Sequence, residues 1–214
     1  MISQDPNQLH IFNPAIGSGA IVPLSKAPLS MSLSTDGLGA AVGFADSVAL
    51  VNLSNATVEK TLPSQAPGRN VVLAAEWVHI VNSPGGSIRI SDGTYVPVTI
   101  ILGNSRGARL SADGKTIYSA TEFSTYLQVY NVSTGPITAA DGLFGITSIC
   151  TPFSLSSDKT RVHTGCNIQE FISAQPGIRY VSSLFSDTRA RVRGVAESAK
   201  AAGRHIGSLL HRAG

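Results

Sequence analysis

Leu110-Ser111-Ala112-Asp113-Gly114-Lys115-Thr116-Ile117-Tyr118-Ser119-Ala120 is a turn set between two short apolar runs. Asp-Gly supplies the positive φ that a tight hairpin turn needs. The flanks, rich in Ile, Thr and Tyr, suit strands. The same pattern recurs at Leu33-Ser34-Thr35-Asp36-Gly37 and at Leu155-Ser156-Ser157-Asp158-Lys159, while Leu73-Ala74-Ala75-Glu76 fills the gap without its Asp-Gly. A second series runs an apolar pair into Asn or Asp: Ile11-Phe12-Asn13, Leu50-Val51-Asn52, Ile90-Ser91-Asp92 and Val129-Tyr130-Asn131. Its polar residues lie 39, 40 and 39 apart, and Phe171-Ile172-Ser173 is a looser fifth member. Two interleaved hairpins with one period of about 40 residues are the signature of a four-stranded propeller blade.

Five outer and four inner hairpins make 18 strands, or about four and a half blades. The sequence therefore predicts an all-β, antiparallel β-propeller over residues 1–186, as an incomplete or small ring. It starts in mid-blade, with Gln8–Leu24 as an outer hairpin that has no inner one before it. If Gln169–Ser186 is not a hairpin, Gln8–Leu24 completes the last blade and closes a four-bladed ring. Otherwise open sheet edges invite self-association. Residues 187–214 form a separate tail. Val192, Val195, Ala199, Ala202, Ile206, Leu209 and Leu210 follow helical spacing there, which predicts a short C-terminal helix. Gly194, Gly203 and Gly207 each cost such a helix about 1 kcal/mol relative to Ala.

Of the 214 residues, 43% are hydrophobic and only 14% charged, which excludes an intrinsically disordered chain. No apolar run is long enough to span a membrane, and residues 1–20 show no signal-peptide pattern. The tail holds six basic residues against two acidic ones, so the +3 net charge leaves the body at −1. The body therefore has no electrostatic footprint for nucleic acid.

Leu110-Ser-Ala-Asp-Gly-Lys-Thr-Ile-Tyr-Ser-Ala, followed by Leu127-Gln-Val-Tyr-Asn-Val-Ser-Thr-Gly, resembles the YVTN-type, surface-layer-like and lactonase-like β-propeller repeats. The likeness covers roughly residues 8–185. It implies the propeller fold and admits either a non-enzymatic surface or binding protein or a lactone hydrolase. The Trp-Asp ending of WD-repeats is absent. Lactonase-like relatives assemble a metal site around the central channel, but no residue here is assigned to one, and none to catalysis or a cofactor.

Other motifs read as structure. Gly103-Asn104-Ser105-Arg106-Gly107 fits G-x-S-x-G but lacks the helix a nucleophile elbow needs. Gly37-Leu38-Gly39-Ala40-Ala41-Val42-Gly43 begins in a hairpin turn, not a dinucleotide loop. The five histidines have no metal-ligand spacing, and His79 and His163 fall in second strands, where an imidazole completes a hydrogen-bond network. The sequons at Asn52, Asn55 and Asn131 coincide with the repeat's turns.

Two pairs stand out. Arg69 and Arg106 each precede a repeat leucine by four residues, so both guanidiniums occupy equivalent places and could hold an anion at one channel mouth. Cys150 and Cys166 lie symmetrically about Asp158, and regular pairing would set them face to face within reach of a disulfide. A bridge would imply an oxidising compartment. The sequence thus points to a non-catalytic binding or scaffold module, a fragment of a larger secreted or envelope protein. It would take an unknown protein or small molecule on the inter-blade loops at Ser25–Ser30, Pro63–Asn70, Gly103–Ala108 and Asp141–Ile149. The alternative is a lactonase-like, metal-dependent hydrolase.

Overall fold

The computed structural model describes residues 1–13, 16–98, 105–121 and 126–145, with strands at 154–155, 161–163, 169–173 and 178–183. Among the described residues every element is a β-strand, and the strands form five antiparallel sheets in sequence order. A terminal sheet holds β1 (Ile2–Gln4), β2 (Asn7–Asn13) and β3 (Ser18–Pro23). The first blade holds β4 (Ser30–Leu33), β5 (Gly39–Gly43), β6 (Ser47–Asn52) and β7 (Thr57–Pro63). The second holds β8 (Val71–Ala74), β9 (Trp77–Ile80), β10 (Gly85–Arg89) and β11 (Tyr95–Val98). The third holds β12 (Ser105–Leu110), β13 (Thr116–Thr121), β14 (Tyr126–Asn131) and β15 (Thr138–Gly145). The fourth holds β16 (Ser154–Leu155), β17 (Arg161–His163), β18 (Gln169–Ser173) and β19 (Ile178–Ser183). Each blade is a meander in which neighbours in sequence are neighbours in the sheet.

Both sequence series fall on turns. In the first-to-second-strand turns of the first and third blades, Ser34 and Ser111 donate their hydroxyls to Asp36 and Asp113. The same serine oxygens accept the N–H of Gly39 at 2.8 Å and of Thr116 at 3.0 Å. Gly37 and Gly114 take φ +73° and +70°, a region in which a Cβ is penalised. The second blade closes the equivalent turn on Ala75, at φ +43°, because its loop has only two residues between the paired Ala74 and Trp77. The polar series ends the third strands. Asn52 Oδ1 accepts the N–H of Ser54 at 2.9 Å, and Asn131 Oδ1 that of Ser133 at 2.8 Å. Four residues beyond Asn13, Asn52 and Asn131, the positive-φ position is filled by Gly17, Ala56 and Gly135.

Three apolar clusters lie between successive sheets. Leu9, Val22, Val42, Phe44 and Val51 join the terminal sheet to the first blade. Val48, Leu62, Val71, Val78, Ile80 and Ile88 join the first blade to the second. Val72, Val81, Ala108, Ile117, Tyr130 and Ile137 join the second to the third. Burial of each such side chain stabilises by about 1.5–3 kcal/mol. Adjacent residues of one strand serve different clusters, as Val71 and Val72 do. A sheet buried on both faces reads as an apolar run rather than a clean alternation. The first strands of successive blades also touch, through Ser30 Oγ, which accepts the N–H of Val71 at 3.1 Å, and Ser32 Oγ, which accepts that of Leu73 at 3.1 Å. Behind them Gly43 meets Gly68, where a Cβ on Gly43 would lie 2.1 Å from the Gly68 carbonyl oxygen.

Two expectations change, and one open alternative is decided. The chain does not start on a two-stranded hairpin: β1 pairs with β2 through Ile2↔Leu9, Ser3↔Gln8 and Gln4↔Asn7, with Asp5-Pro6 as its turn, so the terminal sheet has three strands. The run Ile2-Ser3-Gln4 is too short to announce itself. Residues 169–183 do form a hairpin, β18 with β19, so the fourth blade keeps its own outer strands and Gln8–Leu24 does not complete it. The loops expected at Gly103–Ala108 and Asp141–Ile149 are partly strand, since β12 begins at Ser105 and β15 runs to Gly145. The expected C-terminal helix and the tail it belongs to lie outside the described residues.

Candidate functional site at the loop end of the propeller

The motif turns gather at one end of the sheets, where first-to-second and third-to-fourth turns bond to each other. Leu53 N–H donates to Leu38 O at 2.9 Å, Ile90 to Glu76 at 2.8 Å and Val132 to Lys115 at 2.8 Å. The other end carries the inter-blade connections and the second-to-third turns. There Ser64 N–H donates to Asp46 O at 2.9 Å, Gly68 to Phe44 at 2.8 Å and Val81 to Asn70 at 2.8 Å. Function usually sits on loops that a rigid scaffold positions.

Its polar groups fall into three sets. Lys26 Nζ donates to both carboxylate oxygens of Asp46, at 2.6 and 2.7 Å. The Lys26 ammonium, ahead of a hydrogen bond from Ser47, holds the Asp46 carboxyl below the usual carboxylate range. This pair is exposed and self-compensated, so it offers little net charge to a ligand. Arg69 is the second set. It is exposed on the connection between β7 and β8 and makes no ion pair among the described residues. The third set is amide chemistry at the junction of the second and third blades. Asn70 Nδ2 donates to Ser105 O at 2.5 Å. Asn82, on the adjoining turn, donates Nδ2 to Pro84 O at 2.8 Å and keeps a buried Oδ1 without a partner.

The structure relates the two predicted arginines through this junction. Arg106 falls at the β-bulge of β12, between Ser105 and Gly107 in the pairing with β13. The Asn70–Ser105 bond places the residue after Arg69 against the residue before Arg106. Sequence reading missed Asn70 and Asn82 because neither recurs in either repeat series.

Ser105, the glycine run and His79 serve the fold. Ser105 is 8% exposed; its Oγ accepts from Ser119 Oγ at 2.8 Å and from Gly107 N–H at 3.2 Å, so it is a structural hydroxyl and not a presented nucleophile. Gly37 and Gly43 serve a turn and a blade contact. His79 lies in β9, a second strand, fully buried, with Nδ1 2.9 Å from Ser87 Oγ. Desolvation lowers its pKa to about 4, so the ring is neutral. His163 likewise falls in the second strand of its blade, β17. Among the described residues, no three His, Cys, Asp or Glu side chains form a metal-ligand group, and no helix is long and apolar enough to cross a membrane.

Cys150 and Cys166 lie outside the described residues. The two described pairs of their hairpin are Ser154↔His163 and Leu155↔Val162.

No protein-family model and no curated protein matches the chain. Solved structures do. The β-propeller domain of Myceliophteria thermophila Cps50 (Swd1) is similar with a TM-score of 0.64 and 16% identity, over 86% of this chain and 67% of that one. A functionally unknown protein from Desulfotomaculum acetoxidans aligns with a TM-score of 0.67 and 13% identity, over 85% of this chain and 63% of its own. Kuenenia stuttgartiensis hydrazine synthase aligns with a TM-score of 0.59 and 13% identity, over 81% and 59%. The chain thus spans about three-fifths to two-thirds of these structures. At such identities the likeness establishes architecture alone, and that architecture is the antiparallel β-propeller.

Proposed function

We propose that this chain is a non-catalytic binding or scaffold module of the β-propeller type, part of a larger secreted or envelope protein, which takes an anionic group of its ligand at the loop end. The observation that carries the reading is the placement of Arg69. It is an exposed guanidinium without an ion-pair partner among the described residues, one residue from the Asn70–Ser105 bond that leads to Arg106. A forked guanidinium recognises carboxylate or phosphate by two parallel hydrogen bonds. Two of them on successive blades give a ligand a defined orientation. The YVTN-like repeats agree with a surface or binding role. A Cys150–Cys166 bridge, detectable as a pair that alkylates only after reduction, would place the module in an oxidising compartment.

The hydrolase reading needs a cluster of metal donors. The described residues assemble none.

The test is an NMR titration of the full chain with inorganic phosphate, following the arginine Nε–H signals. Saturable shifts at Arg69 and Arg106 that weaken at least tenfold in the Arg69→Ala/Arg106→Ala double variant support the proposal. An unchanged titration in the double variant refutes it. A tightly bound divalent metal, together with turnover in a lactone hydrolysis screen, replaces it by the hydrolase.

A further inference from the structure

Three asparagines of the chain have a hydroxyl residue two positions on: Asn52-Leu53-Ser54, Asn55-Ala56-Thr57 and Asn131-Val132-Ser133. All three fall on third-to-fourth turns, between β6 and β7 in the first blade and between β14 and β15 in the third. Turn chemistry occupies their Oδ1 atoms, which accept hydrogen bonds from residues two or three ahead. The side chains differ at Nδ2, the atom on which an N-linked glycan is built. Asn52 is half-buried, and its Nδ2 donates to Glu59 Oε1 at 2.8 Å. Asn55 and Asn131 are exposed, and their Nδ2 atoms have no partner among the described residues.

The two exposed asparagines share a local geometry. Thr57 Oγ1 donates to Asn55 Oδ1 at 2.7 Å, and Ser133 Oγ donates to Asn131 Oδ1 at 2.5 Å. The middle residue turns the other way in both. Val132 is buried in the cluster between the second and third blades, and Ala56 packs against the cluster between the terminal sheet and the first blade. Amide and hydroxyl therefore stand together on the solvent side, anchored from beneath by the residue between them. In the Asn52 sequence no hydroxyl bond of this kind forms: Ser54 reaches Asn52 Oδ1 through its backbone N–H, at 2.9 Å.

We propose that Asn55 and Asn131 are N-glycosylation sites and that Asn52 is not. This rests on the secreted or envelope part of the reading above, because the modification marks surface turns of secreted proteins. The co-substrate is a glycosyl diphosphate. Nδ2 forms a bond to the anomeric carbon of the sugar, and the bond from that carbon to the diphosphate oxygen breaks. The diphosphate leaves with the electron pair, and Nδ2 gives up one proton, so no oxidant or reductant is needed. A glycan is bulky and belongs at the surface. Both asparagines lie at the motif-turn end, opposite Arg69, so a glycan on either leaves the loop end clear. A glycan on Asn52 would instead displace the Glu59 bond.

The test is peptide mapping by mass spectrometry on the full chain recovered from the medium, the envelope and the cytosol of its native cells. The expected result is a chain outside the cytosol, with sugar mass on the peptides of Asn55 and Asn131 and none on Asn52. Asn131→Asp keeps the turn's oxygen acceptor and should lose the sugar at that position alone. Ser133→Ala should lose it although Asn131 remains, and Ser133→Thr should retain it. An unmodified chain outside the cytosol overturns the glycan and leaves the binding module standing. A chain confined to the cytosol and unmodified overturns both. Sugar on Asn52, or sugar on Asn131 that survives Ser133→Ala, overturns the assignment of sites.

Discussion

Acid should weaken this fold through one buried imidazole well before the carboxylates respond. His79 is fully buried in a row with Val72, Ser87 and Val96 across the second blade, and its Nε2 has no hydrogen-bond partner among the described residues. Desolvation is the cause of its low pKa, about 4 against an ordinary 6.5. Between those values the unfolded chain takes up a proton that the folded chain refuses. The stability that His79 lends is therefore complete above pH 6.5 and is lost as pH falls toward about 4. One proton of difference costs about 1.4 kcal/mol per pH unit, so the whole loss is about 3 kcal/mol, a large share of a typical domain's stability. Below about pH 4 both states are protonated and this contribution levels off.

The assay is urea unfolding followed by tryptophan fluorescence of Trp77 at half-unit steps from pH 7.5 to 4. His79→Gln removes the titration and retains a polar group for Ser87, whose Oγ also accepts the N–H of Ile137 at 3.0 Å. The wild type should lose stability across this window and the variant should hold nearly constant from pH 6.5 to 4.5. Equal slopes in the two proteins would refute the reasoning, because the proton would then be binding elsewhere.

Ala75→Gly should raise stability by about 0.5–1 kcal/mol in the same unfolding assay, since φ +43° penalises a Cβ; Ala56→Gly, at φ +56° where sister turns carry Gly17 and Gly135, should do likewise. Gly43→Ala should cost about 3 kcal/mol or abolish soluble expression, because the new Cβ meets backbone at Gly68 that has nowhere to yield. Asp36 and Asp113 are held below the usual carboxylate range chiefly by hydrogen bonds from Ser34 and Ser111. The stability they lend is present above the ordinary carboxylate pKa and fades as pH drops below it, so the Asp36→Asn/Asp113→Asn variant should show a flatter fall in Tm between pH 4.5 and 2.5 than the wild type.

What the sequence discloses and what it hides divide along one line, that between contacts within a turn and contacts between blades. A turn is written in consecutive residues. Ser34-Thr35-Asp36-Gly37 carries its serine acceptor, its carboxylate and its positive-φ residue within four positions, and Asn52 caps residues two and three ahead. These recur because each blade solves the same local problem, so blade number and strand order are readable. Ala75 shows where that reading weakens, since a two-residue loop takes a positive φ that no glycine advertises. β1 shows another, because pairing with β2 rescues three residues with no strand signal of their own. Contacts between blades obey a different rule. Ser30 reaches Gly68 at a separation of 38, Ser32 reaches Leu73 at 41 and Asn70 reaches Ser105 at 35. Those separations are close to the repeat itself, as they must be when one blade's first strand packs on the next. The period therefore holds this information in principle, but which polar residues use it depends on side-chain reach across a gap that no local pattern records. The loop-end asparagines belong to this second kind.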